Sequence, residues 1–102
     1  MAKGYWIVQV DISDPTAYQD YVKANAAPIA AFGGHFLVRG GKSEAPEGAW
    51  RARCVVLEFP SFQAAHDCYR SDSYQAALKL RAGASVADFL IIDGYDGPQP
   101  SA

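Results

Sequence analysis

Apolar and polar positions alternate along residues 4–12, GYWIVQVDI, with Trp6, Val8 and Val10 on one side and Tyr5, Ile7 and Gln9 on the other. A period of two predicts a strand with two distinct faces. The period then changes. Tyr18, Tyr21, Val22, Ile29 and Phe32 recur at spacings of three, four and seven, the stripe of an amphipathic helix. Asp14 suits the N-cap, and Pro15 suits N1, where no N–H is needed. Pro28 removes a bond to the preceding turn, so a kink or break is expected there. Gly33-Gly34 ends the helix, because glycine enters the left-handed region with least strain.

A five-residue strand follows, HFLVR (35–39), bracketed by glycine pairs. Residues 42–49, KSEAPEGA, read as a polar loop, and 50–59, WRARCVVLEF, as a third strand. No helical pattern separates these two strands, so they are expected to pair as an antiparallel hairpin. Ser61 caps a second helix whose inner stripe is Phe62, Ala65 and Tyr69. Ser71-Asp72-Ser73 resembles a fresh cap, with Tyr74, Ala77, Leu78 and Arg81 continuing helically, so this helix is expected to be broken. Gly83 closes it. Residues 86–94, VADFLIIDG, form the last strand, and YDGPQPSA is a tail. The order β-α-β-β-α-β predicts an α+β, ferredoxin-like domain over residues 1–98, with a tail at 99–102. Two helical segments would lie on one face of a four-stranded antiparallel sheet.

Helices can cover only one face of such a sheet, and a solvated second face should alternate cleanly. CVVL (54–57) and FLII (89–92) are apolar on both faces. A second copy of the chain is therefore expected to cover the open face, giving a homodimer packed sheet on sheet. Strict parity places Phe36 and Val38 toward the helices, with His35, Leu37 and Arg39 toward the dimer cleft. Val55, Leu57 and Phe59 share the helix side, which puts Glu58 in the cleft. Arg53 points away from the cleft or snorkels at the strand's start. Asp93 fits either face.

Composition sharpens this picture by exclusion. Hydrophobic residues make up 50% and charged residues 20% of 102 positions, an ordinary globular balance. A formal net charge of −2 with interspersed signs argues against a nucleic-acid partner. No apolar run reaches the roughly 20 residues of a membrane span, and no signal peptide is legible, so the expected location is cytoplasmic. Cys54 and Cys68 read as free thiols, with no partners spaced for zinc. No GxGxxG leads from a strand into a helix, and neither HExxH nor CxxC occurs. No cofactor and no metal are expected. His66, beside a helical stripe, reads as a surface residue and not a haem ligand.

The candidate ligand-binding residues are Tyr5, His35, Arg39 and Glu58. Arg39 either forms a structural ion pair with Glu58 or Asp93, or offers a fork to a carboxylate or enolate. His35 titrates near neutrality and could move a proton or merely bond a neighbour. Glu58 is a base if desolvated and quiet if paired. Tyr5 hydrogen-bonds a ligand or fills an interface. Tyr69, Arg70, Tyr74 and Arg81 surround the helix break and either fix it or form a pocket mouth.

Several stretches together resemble the family described as domain of unknown function 1330: KGYWI, the DP opening the first helix, YVKANAAPIAAFGGHFLVRGG, VVLEFPSFQAAHDCYRSDSYQAALKLR and IIDGYDG. The resemblance covers residues 3–98. It implies a dimeric α/β-barrel of ferredoxin-like subunits, a fold shared with cofactor-free monooxygenases of antibiotic biosynthesis, muconolactone isomerases and haem-degrading enzymes. The expected function is small-molecule binding in a pocket between the helices and the dimer-facing sheet. Cofactor-independent oxygenation or proton transfer on a small organic acid or phenol would occur there; a non-catalytic metabolite-binding or structural dimer is the alternative.

Overall fold

A computed structural model describes residues 2–101. Its elements are β1 (Gly4–Ile12), α1 (Pro15–Ala31), β2 (His35–Arg39), β3 (Arg53–Phe59), α2 (Phe62–Arg70), α3 (Asp72–Arg81) and β4 (Ser85–Asp93). The sheet is antiparallel throughout, in the order β2-β3-β1-β4. This is the ferredoxin-like arrangement that the sequence pattern predicts.

The helix ends follow local chemistry. Asp14 accepts a hydrogen bond from the Ala17 N–H at 3.1 Å, and Pro15 opens α1. At the other end Gly33 takes φ +76°, its N–H bonds Ala30 O and the Gly34 N–H bonds Ile29 O, which together make a Schellman cap. Ser71 serves two helices at once. Its Oγ donates to Cys68 O at 2.7 Å and accepts from the Tyr74 N–H at 3.2 Å, so the expected break falls between α2 and α3.

Two boundary expectations need correction. Pro28 does not break α1, which continues to Ala31. Position 28 lies in the last turn, so the missing N–H costs one ladder bond only. Meanwhile the Pro28 carbonyl accepts from Phe32 N–H and from the Cys68 thiol. The third strand starts at Arg53, not at residue 50. Residues before it are held by side chains: the Ala52 N–H and Arg51 guanidinium both bond Asp11. Trp50 is left exposed.

The core fills the space between the sheet and the helices. Trp6, Val8 and Val10 of β1 meet Val55, Leu57 and Phe59 of β3, as parity requires. The Trp6 ring sits 4.8 Å from those of Phe59 and Tyr74, and its indole N–H donates to Ala65 O, tying sheet to α2. Both cysteines are free thiols. Met1 and Ala102, the outer ends of the expected domain and tail, lie outside the described residues. No helix among the described residues is long and apolar enough to cross a membrane.

Candidate functional site

β2 does not follow strict parity. His35 pairs with Glu58 and Phe36 with Leu57, but Val38 pairs with Val56 and Arg39 with Val55. Leu37 is an extra residue, a β-bulge, and everything after it changes face. Val38 therefore turns to the open face. Arg39 turns to the helix side, away from the dimer cleft. Its guanidinium lies 3.9 Å from the Phe36 ring centroid and makes no ion pair with Glu58 or Asp93.

The four candidate residues are thus divided between two places. Tyr5, His35 and Glu58 come together on the open face. Tyr5 donates to Glu58 Oε2 at 3.0 Å, and His35 Nε2 lies 3.2 Å from Glu58 Oε1. That hydrogen bond is the leading cause that raises the Tyr5 phenol above its ordinary pKa. Asp93, at the end of β4, shares the parity of Ile91 and Phe89 and so lies on the helix side. Arg39 alone of the four lines the cavity between α1, α3 and the covered face of the sheet.

That cavity gathers side chains from six elements. β1 and β3 contribute a floor of Trp6, Val8, Val10, Val55 and Leu57. Arg53 shares the parity of Val55 and reaches into it from the start of β3. Its guanidinium packs against Gly40, which has φ +69° and no room for a Cβ. Arg81 enters from the last turn of α3 and lies 5.3 Å from the Tyr21 ring centroid. The α1 stripe supplies Tyr18, Tyr21 and Asn25. The space between these side chains, counted out to its opening into solvent, is about 470 Å³.

The electrostatics are one-sided. Three arginines and no aspartate, glutamate or histidine line the cavity. Among the described residues the carboxylates in close polar contact with basic side chains meet other groups: Asp11 and Asp88 pair with Arg51, and Glu58 and Asp67 lie against the imidazoles of His35 and His66. The tyrosines cannot supply the missing negative charge. Burial pushes the Tyr74 phenol up, its Tyr21 neighbour adds to this, and the two hydroxyls lie 2.6 Å apart. Burial likewise raises Tyr18 despite the opposing pull of Arg53 and Arg81. Tyr18 and Tyr74 therefore stay protonated at neutral pH. Two polar atoms of the lining are buried without a hydrogen-bond partner, Arg53 Nε and Asn25 Oδ1.

The family profile described as domain of unknown function 1330 matches residues 3–95. The chain belongs to this family. No protein of curated function matches it in sequence. Its fold is similar to that of a protein of unknown function from Rhodopseudomonas palustris, with 19% identity, TM-score 0.72, and coverage of 97% of this chain and 85% of that one. It is also similar to SnoaB from Streptomyces nogalater, described as a cofactor-independent oxygenase. There identity is 11%, TM-score 0.62, and coverage 98% and 97%. A third likeness is to a dimeric ferredoxin-like protein of unknown function from Thermobifida fusca, at 16% identity, TM-score 0.55, and coverage of 89% and 92%. Membership in the domain of unknown function 1330 family therefore comes with the subunit fold of dimeric α/β-barrel proteins.

Within this family member, strict parity hid the inward turn of Arg39. Arg53 was legible as a placement only, and Arg81 as one of four residues that either fix the helix break or form a pocket mouth. The available signal was a basic residue on core parity in each case: Arg53 two before Val55, and Arg81 four after the buried Ala77.

A second cleft, about 620 Å³ by the same count, lies under the β2–β3 loop, between Glu44, Pro46, Trp50, Arg51 and Cys54. Its arginine is already held by Asp11 and Asp88.

Proposed function

We propose that the chain binds a small organic anion in the cavity between the sheet and α1, as one subunit of a homodimer. The observation that carries this reading is the convergence of Arg39, Arg53 and Arg81 on one cavity without a facing carboxylate. Like charges held in a partly desolvated site raise one another's energy, and an anion lowers it. The planar guanidinium fork suits carboxylate, enolate or phenolate oxygens. The protein as a whole carries a net charge of −2, so this cationic site runs against the overall balance.

The open face supports the homodimer. Ile7, Val38, Val56, Leu90 and Ile92 form its apolar centre. Leu90 is 52% exposed and Ile92 42%. Polar groups at either end already satisfy each other, as Tyr5–Glu58–His35 and as Asp11–Arg51–Asp88. An apolar centre with an internally bonded polar rim is the anatomy of an interface. Tyr5, His35 and Glu58 belong to that rim, and Arg39 belongs to the ligand site.

The lining supplies cations and phenolic donors but no general base. This supports a substrate that reacts as its own anion, as in cofactor-independent oxygenation, over base-driven isomerisation. Binding without turnover rests on the same lining and differs only in the absence of product.

Thermal shift with small carboxylates, phenols and their neutral amides or ethers tests the reading. A ligand at a hundred times its Kd adds about 2.7 kcal/mol of stability. The anions are expected to raise Tm, the neutral analogues are not, and Arg53→Met is expected to abolish the response. Equal shifts from anions and neutral analogues, or none from either, would overturn it. Oxygen uptake with the ligands that bind separates turnover from binding alone.

A further inference from the structure

We infer that the ligand of the arginine-lined cavity is a hydroxy acid, a small molecule with a hydroxyl group beside its anionic group. The inference rests on the reading of that cavity as an anion site and goes on to name the substrate class.

Buried polar atoms in folded proteins are nearly always paired, so an exception asks for a cause. The described residues contain two buried, unpartnered side-chain atoms, Arg53 Nε and Asn25 Oδ1, and both belong to the lining of this one cavity. Asn25 is 5% exposed and is the one polar residue within the buried core. It projects from α1 among Tyr21, Ile29 and the sheet, where an apolar residue would continue the stripe. The two orphans have opposite needs. Arg53 Nε–H is a donor that an anionic oxygen satisfies. Asn25 Oδ1 is an acceptor that an anion would repel. One simple carboxylate cannot serve both.

A hydroxyl resolves the mismatch. It donates to the Asn25 side-chain carbonyl oxygen, which a carboxylate cannot do. The anionic group then lies on the Arg53 side, and the hydroxyl on the Asn25 side. Without a ligand such atoms are met by water, which a hydroxy acid would displace. A site built to hydrogen-bond a hydroxyl discriminates strongly against the analogue lacking it, because the buried group is left unpaired.

The test is isothermal titration of the full-length protein with matched pairs: acetate against glycolate, and benzoate against its three hydroxybenzoate isomers. The same pairs are titrated into Asn25→Leu, a near-isosteric apolar variant, and into Arg53→Met. In the wild type at least one hydroxylated member is expected to bind about tenfold or more tighter than its parent. Asn25→Leu is expected to erase that preference while leaving the parent acid's affinity within about twofold. Arg53→Met is expected to weaken both members. Equal binding of hydroxylated and parent acids by the wild type would overturn the hydroxy-acid inference while leaving the anion site standing. Equal loss of both members in Asn25→Leu would overturn it too, by making Asn25 a structural residue. Binding of no acid at all would overturn both readings together. The wild-type comparison decides even if Asn25→Leu fails to fold.

Discussion

The guanidinium of Arg39 lies 3.9 Å from the ring centroid of Phe36, three residues earlier on the same strand. In a regular strand residues three apart point to opposite faces. The contact exists because Leu37 is a bulge, and the parity of β2 reverses across it. One inserted residue thus moves a cation from the open face into the cavity behind the sheet.

Arg39→Ala follows directly from that geometry. Arg39 pairs with no carboxylate among the described residues, so its removal leaves no charge stranded. The expected loss of stability in urea unfolding is at most about 1 kcal/mol, the scale of an exposed cation–π contact. Affinity for a small anion should fall about tenfold or more, as for a lost hydrogen bond to a charged group. A loss of several kcal/mol in stability would make Arg39 a structural residue of the subunit instead.

Much of the architecture was legible because β1, β3 and β4 keep strict period two, so Trp6 with Leu57 and Phe59 could be assigned to the helix side from spacing alone. Capping chemistry at Asp14, Ser61 and Ser71 marked the helix starts in the same direct way. The bulge was not legible. HFLVR alternates acceptably in either register, since Phe36 and Val38 look like a core pair and a single extra residue leaves no trace in composition. Arg39 consequently lies on the opposite face of the sheet from the one its spacing predicts. Asn25 was illegible for a related reason: one polar residue on an amphipathic helix reads as the edge of the polar face until its burial is known.

Leu90→Lys examines the assembly. Leu90 sits opposite Ile7 on the open face. A lysine there places a charge at the centre of an apolar interface, where pairing would desolvate it. Light scattering should show a dimer for the wild type and a monomer for Leu90→Lys at micromolar concentration. Far-UV circular dichroism should be unchanged, because position 90 lies outside the subunit core. A monomeric wild type would refute the homodimer.

Asp11 predicts the acid limb of stability. The bond from the Ala52 N–H and then that from Arg51 hold its carboxyl below the ordinary value of 3.8. The folded state thus binds its proton less readily than the unfolded state. The resulting stabilisation is complete above pH 3.8 and is lost as pH falls through the lower folded value. Asp11→Asn should therefore be less stable than wild type at pH 6 and converge on it at low pH. The check is a set of urea midpoints across that range. A constant difference would mean that shape, not charge, accounts for the effect.

Cys68 sets the alkaline limb. It is fully buried, and burial pushes its thiol up to about 12 from 9.0. Between those values the unfolded chain ionises while the folded chain keeps its proton, so this thiol's contribution favours unfolding as pH rises. The sign is opposite to that of Asp11: stability is retained below pH 9.0 and declines above it, by up to about 1.4 kcal/mol per pH unit. Cys68→Ala should flatten the decline, although its cavity lowers stability at every pH. The same burial governs reactivity, because the thiolate is the nucleophile. At neutral pH Cys68 should resist a thiol reagent until the protein unfolds, and its labelling rate should rise with urea in step with the unfolding equilibrium. Mass spectrometry of the labelled peptides distinguishes it from Cys54, which is only partly buried. Rapid native labelling of Cys68 would show that α2 opens locally, without global unfolding, and would remove its carbonyl-bonded thiol from the set of rigid core contacts.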